Sequence, residues 1–186
     1  MAIIRVSGNL GSGKTTLCNR LAEHLGYKNY YTGNIFRQLA KEKELSIEEF
    51  YKELKSNPGV EKEVDNRQIE LMMSEDNLVV QGRMAPFQPS NPNADRINVF
   101  IQVSDEEGAR RQLKRKENEH LTFEHMLELS RERAWEETER YRNLYGINNY
   151  LDQNSFDIII DTTNMTIDEA FQALLEKVDS FLNYGF

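Results

Sequence analysis

Residues Gly8-Asn9-Leu10-Gly11-Ser12-Gly13-Lys14-Thr15 match the spacing Gly-x-x-x-x-Gly-Lys-[Ser/Thr], a pattern whose chemistry is the cradling of a phosphate chain. The glycines let successive backbone N–H groups turn inward around an anion, and the helix that follows points its positive end at the same place. Lys14 is then within reach of β- and γ-phosphates, and Thr15 offers a hydroxyl to Mg²⁺. Residues Gly8 through Thr15, with Thr16 beside them, are therefore the expected ATP-binding segment, and Mg²⁺ is expected to arrive with ATP. A Gly-rich turn that merely joins a strand to a helix is the plainer alternative. Against it stands the context: an apolar run precedes the motif and an amphipathic run follows it.

A phosphate cradle alone does not separate a kinase from a GTPase or a mechanical ATPase, so other cations carry the distinction. Arg37 follows Thr32-Gly33-Asn34-Ile35-Phe36, where a strand gives way to a helix. Gly82-Arg83 comes directly after the apolar run ending at Gln81, at a strand's carboxyl end, where open α/β sheets bind ligands. An arginine fork suits the phosphate of a second substrate because it makes bidentate, charge-assisted contacts. Between Arg110 and Lys116 five of seven residues are basic, and Arg133 and Arg140 follow. Arg111 and Arg115 are four apart and are expected on one helix face; Arg133 and Arg140, seven apart, are expected two turns along the face of the next helix. Together they are suited to closing over a triphosphate. A solvated helix surface is the competing reading, supported by Glu132, Glu136, Glu137 and Glu139.

The elements that must position these groups follow from periodicity. Residues 2–7 read as a strand buried on both faces, and further strands are expected at 27–31, 77–81, 97–103 and 156–161, alternating with helical stretches. The run 27–31 is short and aromatic and fits an extended loop equally well. Such alternation implies a parallel α/β sheet. The first helix is expected over 14–25, stopped by Gly26. Ser46 with Glu49 and Thr166 with Glu169 read as capping boxes, and Thr122 as the cap of a long helix reaching about Tyr145.

With 186 residues, no linker-like tract and no repeat, the chain is expected to fold as one domain spanning 1–186. A net charge of −8 argues against a general nucleic-acid-binding surface. No apolar run approaches membrane-spanning length, and the opening Met-Ala-Ile-Ile leads straight into the first strand, so a cytoplasmic protein, off the membrane and monomeric, is expected. Cys18 is the only cysteine and reads as a small helix residue. His24, His120 and His125 lack metal-ligand spacing and read as surface or packing residues.

With these residues assembled, the chain resembles the nucleoside monophosphate kinases, most closely the short cytidylate kinases of the archaeal type. The resemblance runs through the cradle, Thr32-Gly33-x-Ile35-Phe36-Arg37, the stretch from Leu45 to Phe50, Val64-Asp65-x-Arg67-Gln68, Gly82-Arg83, and Arg140-Tyr141-x-x-x-Tyr145-Gly146-Ile147. It implies a three-layer α/β/α fold on a five-stranded parallel sheet, a helical monophosphate-binding region at about 32–75 and a short lid at about 110–140. The implied reaction moves the γ-phosphoryl group of ATP to a nucleoside monophosphate, with CMP or dCMP favoured by resemblance alone.

In that scheme Lys14, Arg83, Arg133 and Arg140 are catalytic, and Arg111 and Arg115 join the ATP site. Thr32, Gly33, Arg37, Asp65, Arg67, Gly82 and Arg83 take the monophosphate, and Thr15 takes the metal. Two departures stand out: Gln81 replaces an acid that relatives carry before Gly-Arg, and Asn34 stands where a carboxylate is common. The segment 117–121 is also longer than in the family, and Trp135 is expected to be packing. The alternatives are an adenylate kinase or another small-molecule kinase on this scaffold, or a nucleotide-sensing protein that binds ATP without transferring phosphate.

Overall fold

The computed structural model describes residues 1–46, 49–50, 53 and 57–184. Five strands form one all-parallel sheet: β1 (Ala2–Gly8), β2 (Lys28–Tyr31), β3 (Leu78–Gln81), β4 (Asp95–Gln102) and β5 (Ile158–Asp161), in the order β2-β3-β1-β4-β5. Among the described residues the helices are α1 (Lys14–Leu25), α2 (Thr32–Glu42), α3 (Pro58–Ser74), α4 (Asp105–Leu113), α5 (Phe123–Tyr145) and α6 (Ile167–Tyr184). Of the run 27–31, Lys28–Tyr31 is thus a strand, the edge strand paired to β3, and not a loop. Parallel strands need crossovers, and the helices supply them on both faces, which gives the expected three layers.

Strand alternation sorts the core into two sides. Ile4, Val6, Val79, Ile97 and Ile101 meet Leu17 and Leu21 of α1 and Phe171 and Leu174 of α6. Ile3, Leu78 and Val80 turn the other way, onto Met72 of α3. A separate small cluster of Leu39, Ala40, Phe50, Val60 and Val64 joins α2 to α3. Cys18 is buried in the first of these cores, where burial raises its thiol to about 12.

Local chemistry sets the helix ends. Gly26 closes α1 in the left-handed region at φ 66, and Thr122 Oγ1 accepts the His125 N–H at 3.2 Å to start α5. Both capping boxes form: Ser46 and Thr166 each accept the N–H of the glutamate three residues on, and that glutamate reaches back. The helical stretch that Ser46 was expected to open lies largely outside the described residues.

The basic run is not one continuous helix. Helix α4 ends at Leu113, with Lys114 as its cap, and Arg115 is extended at φ −83, ψ 137. Arg111 and Arg115 therefore do not share a helix face. Trp135, expected to be packing, is instead 66% exposed on α5.

Candidate active site

The loop after β1 is tied to its neighbours at three points. Asn9 makes a reciprocal pair with the backbone of Val103, donating Nδ2 to its carbonyl at 3.0 Å and accepting its N–H at 3.2 Å. Gly11 and Gly108 meet backbone to backbone: a Cβ on Gly11 would lie 2.4 Å from the Gly108 carbonyl oxygen, and one on Gly108 would lie 2.6 Å from that of Leu10. Thr162 Oγ1 lies 3.3 Å from the Ser12 carbonyl, and Arg111 binds that same threonine through Oγ1 at 3.0 Å and its carbonyl at 2.6 Å. The loop is thus held by the ends of β4 and β5, and Arg111 is fixed beside it. Such a loop needs little reorganisation to receive an anion. Thr15 and Thr16 are exposed on the first turn of α1.

Lys14 curls back into the loop. Its Nζ donates to the carbonyls of Gly8 at 2.7 Å and Asn9 at 2.8 Å, with Ser12 Oγ at 3.4 Å. Burial, together with the nearby Arg83, pulls its ammonium down to about 7, while Glu137 works the other way. Beside it, two arginines from separate elements share one carboxylate. Arg83 Nε lies 2.6 Å from Glu137 Oε2, and Arg133 Nε donates to Glu137 Oε1 at 3.1 Å. Burial opposes the charge on Arg83, yet Glu137 and two tyrosines hold its pKa above the ordinary value.

A second polar assembly fills the space between α3, α5 and the loop after β3. Thr32 Oγ1 lies 2.5 Å from Gln68 Oε1 and 2.9 Å from the Gln81 carbonyl. Gln68 donates to Gln88 Oε1 at 2.6 Å, Gln88 donates to Asp65 Oδ1 at 2.9 Å, and the Tyr145 hydroxyl donates to Asp65 Oδ2. Burial raises the Asp65 carboxyl against the effect of those two donors. Gly82 is where these parts touch, since a Cβ there would sit 2.2 Å from Thr32 Oγ1. Arg5, on the central strand and buried, donates to the Gln88 carbonyl at 2.9 Å and so holds that residue in place. At the far side Arg140 grips Glu61, with Nε 3.0 Å from Oε1 and 2.9 Å from Oε2.

The remaining residues expected at the site lie further out. Arg37 is exposed and donates to Asn34 Oδ1 at 3.0 Å. Arg67 is on the opposite side of α3 from Asp65 and pairs with Glu42 at 2.6 Å, lining a broad outer groove of about 1380 Å³ with Tyr31 and Asn34. Gly33 begins α2 with Thr32, close against the ring of Tyr31.

A family model described as "AAA domain" matches residues 4–142. The chain is 40% identical over 178 residues to a cytidylate kinase of Pyrococcus furiosus, covering 95% of this chain and 88% of that one. It is 33% identical over 187 residues to a cytidylate kinase of Methanopyrus kandleri, covering 97% and 94%. The chain belongs to the cytidylate kinase family. Solved structures agree on the fold. A shikimate kinase from Bacteroides thetaiotaomicron superposes with a TM-score of 0.62 at 17% identity, over 96% of this chain and 98% of that one. A gluconokinase from Sinorhizobium meliloti gives 0.60 at 15%, over 97% and 93%.

For a cytidylate kinase family member, the environment of Gln81 is informative. Its side chain is buried and its Nε2 lies 3.4 Å from Asn29 Oδ1, while Asn29 Nδ2 donates to Asn19 Oδ1. Asn19 is one turn beyond Thr15 on α1, so the row of neutral amides ends one helical turn from the hydroxyl expected to meet the metal. We expect Gln81→Glu to raise turnover at sub-saturating Mg²⁺ and to leave it unchanged at saturation. The carboxylate would face Asn29 Oδ1, but the exposed Asn19 lets both amides flip to donate. Initial rates across a Mg²⁺ titration check this, and a loss at every concentration would assign Gln81 another task.

Several members of the site escaped the sequence reading. Glu137 read there as one more glutamate of a solvated surface, yet it is buried, while Glu132, Glu136 and Glu139 are not. Its spacing of four from Arg133 and three from Arg140 was the available signal. Gln88 and Glu61 carried no signal, because nothing local distinguishes a buried amide or acid from a surface one.

Proposed function

We propose that this chain transfers the γ-phosphoryl group of ATP to a pyrimidine nucleoside monophosphate, CMP or dCMP. The observation that carries the reading is the convergence of Lys14, Arg83 and Arg133 at the carboxyl edge of the sheet, beside a phosphate cradle, in a chain of this family. In this reading Gly8 through Thr16 hold the triphosphate, and Lys14 exchanges its loop carbonyls for the β- and γ-phosphates. Arg111 flanks the same chain. Arg115, exposed beyond the end of α4, joins it when the 110–140 segment closes.

The acceptor phosphate falls to Arg83, with Arg37 swinging in from α2, and Arg133 and Arg140 answer the charge on the group in flight. Transfer of this kind needs positioning and electrostatic stabilisation and no covalent enzyme intermediate. The residues present suit a magnesium ion, since Mg²⁺ keeps most of its waters and asks for one or two protein oxygens plus phosphates. Thr15 Oγ1 would hold it, and the ion would neutralise phosphate charge. Closure of the 32–75 and 110–140 regions excludes water, which would otherwise accept the phosphoryl group.

The base of the acceptor would lie against Thr32, Gln68, Gln88 and Asp65, whose alternating donors and acceptors can exchange partners with a cytosine amino group and carbonyl. Arg67, turned to the outer groove, takes part only if α3 rotates. We expect kcat/KM for CMP or dCMP to exceed that for AMP by at least about tenfold, ~1.4 kcal/mol, which one base-specific hydrogen bond supplies. A coupled assay with CMP, dCMP, UMP and AMP decides it. Preference for AMP would point to an adenylate kinase on this scaffold, and failure of every monophosphate with ATP still bound would point to a sensing protein.

A further inference from the structure

Part-buried Arg83 and half-exposed Arg133 meet at the mouth of the cradle, with Lys14 close enough to feel both charges. Bringing like charges together there is unfavourable unless an anion sits among them. Glu137 is that anion. It is 3% exposed and reaches Arg83 with one carboxylate oxygen and Arg133 with the other. Tyr150 donates its hydroxyl to Oε2 at 3.1 Å, and Tyr150 is itself fixed, fully buried and edge-to-face with Tyr141 at 5.2 Å between ring centres. The carboxylate is therefore held rigidly from the protein side.

Its contacts with the arginines leave guanidinium donors to spare. At 2.6 Å the Arg83 Nε is close to Glu137 Oε2, yet the N–H is not aimed along a hydrogen bond, so the contact is an ion pair without directional strength. Arg133 meets the carboxylate through Nε as well, and its side chain is 54% exposed. A guanidinium has five donors, and a contact through Nε leaves others for a second anion.

We propose that Glu137 is the resident counter-ion and positioning residue of the phosphoryl-transfer site, holding Arg83 and Arg133 at the cradle mouth until substrate phosphates take them over. This rests on the reading above, in which both arginines serve phosphates. Two consequences follow from one carboxylate. It keeps the resting site from filling with stray anions, and it aims the two forks so that productive binding needs no search. Arg140 with Glu61 repeats the arrangement on the acceptor side.

Charge and position are separated by two variants. Glu137→Gln keeps the shape and removes the charge; Glu137→Asp keeps the charge and withdraws it by one methylene. Titration calorimetry with inorganic tripolyphosphate, without nucleotide or Mg²⁺, reads the counter-ion role. For Glu137→Gln we expect binding at least about fivefold tighter than for the unaltered protein at low salt, with the gain shrinking as ionic strength rises.

Steady-state kinetics reads the positioning role. Both variants should lose at least about tenfold in kcat, with KM for ATP held within about threefold, while Glu137→Asp should bind tripolyphosphate like the unaltered protein. Unchanged or weaker anion binding by folded Glu137→Gln would overturn the counter-ion role. Should that variant fail to fold, ordinary kcat in Glu137→Asp would overturn the positioning role. The anion titration needs no acceptor, so it stands apart from the assay in which the unaltered chain phosphorylates no monophosphate and the kinase reading fails.

Discussion

Lys14→Ala is expected to lower kcat by at least about a hundredfold, ~2.7 kcal/mol or more, the cost of removing one preorganised donor to a migrating charge. Lys14 is part-buried, its ammonium bonded to the Gly8 and Asn9 carbonyls. Truncation therefore strips two loop carbonyls of a donor as well as stripping the phosphates of theirs. Those carbonyls lie at the mouth of the cradle, where water can replace the ammonium, so the melting temperature should change little. The loop is also held independently by Asn9 on Val103 and by Thr162 on the Ser12 carbonyl. Single-turnover transfer measured beside a thermal melt checks both halves. Near-normal turnover would remove the cradle from the reaction, and collapse of the melt would make Lys14 a structural residue.

Arg83→Ala should act on the acceptor. A charge-assisted contact to phosphate is worth about 1.5–3 kcal/mol, and that loss should appear in kcat/KM for the monophosphate, with the Kd for ATP shifted by about twofold or less. The structure adds a cost in stability, because the variant leaves Glu137 buried with one cation fewer. Breaking a buried pair costs about 3–5 kcal/mol when the survivor has no other partner. Glu137 keeps Arg133 and the Tyr150 hydroxyl, so the loss should fall below that range.

A double variant, Arg83→Ala with Glu137→Gln, separates the two effects. Stability should return, since no uncompensated charge remains, while the acceptor defect should persist. Equal losses for ATP and monophosphate in the single variant would move Arg83 out of the acceptor site. Recovery of acceptor kinetics in the double variant would mean that Arg83 matters only through Glu137.

Much of this protein is legible in short stretches of chain, because the forces involved act over a few residues. The phosphate cradle needs only the spacing of Gly8, Gly13, Lys14 and Thr15 between a strand and a helix. Helix ends are equally local: Gly26 takes up φ 66 at no steric cost, and Thr122, Ser46 and Thr166 each cap an N–H three residues away. Even the parallel sheet follows from alternating apolar runs, since such strands must be covered on both faces.

What the tertiary structure decided was the direction and burial of single polar side chains. Arg140 finds Glu61 across 79 residues and Tyr145 finds Asp65 across 80, and no local pattern encodes such meetings. Arg67 shares a motif with Asp65 but is two residues along a helix, a rotation of about 200° that turns it to the opposite face. Glu137 and Trp135 show the same dependence on helix phase: the glutamate faces the arginines and is buried, the tryptophan faces water. Binary patterning assigns the reverse, placing an aromatic inside and an acid outside. Only the tertiary approach of α5 to Arg83 and Tyr150, with cations in need of an anion, makes the buried acid the favourable choice.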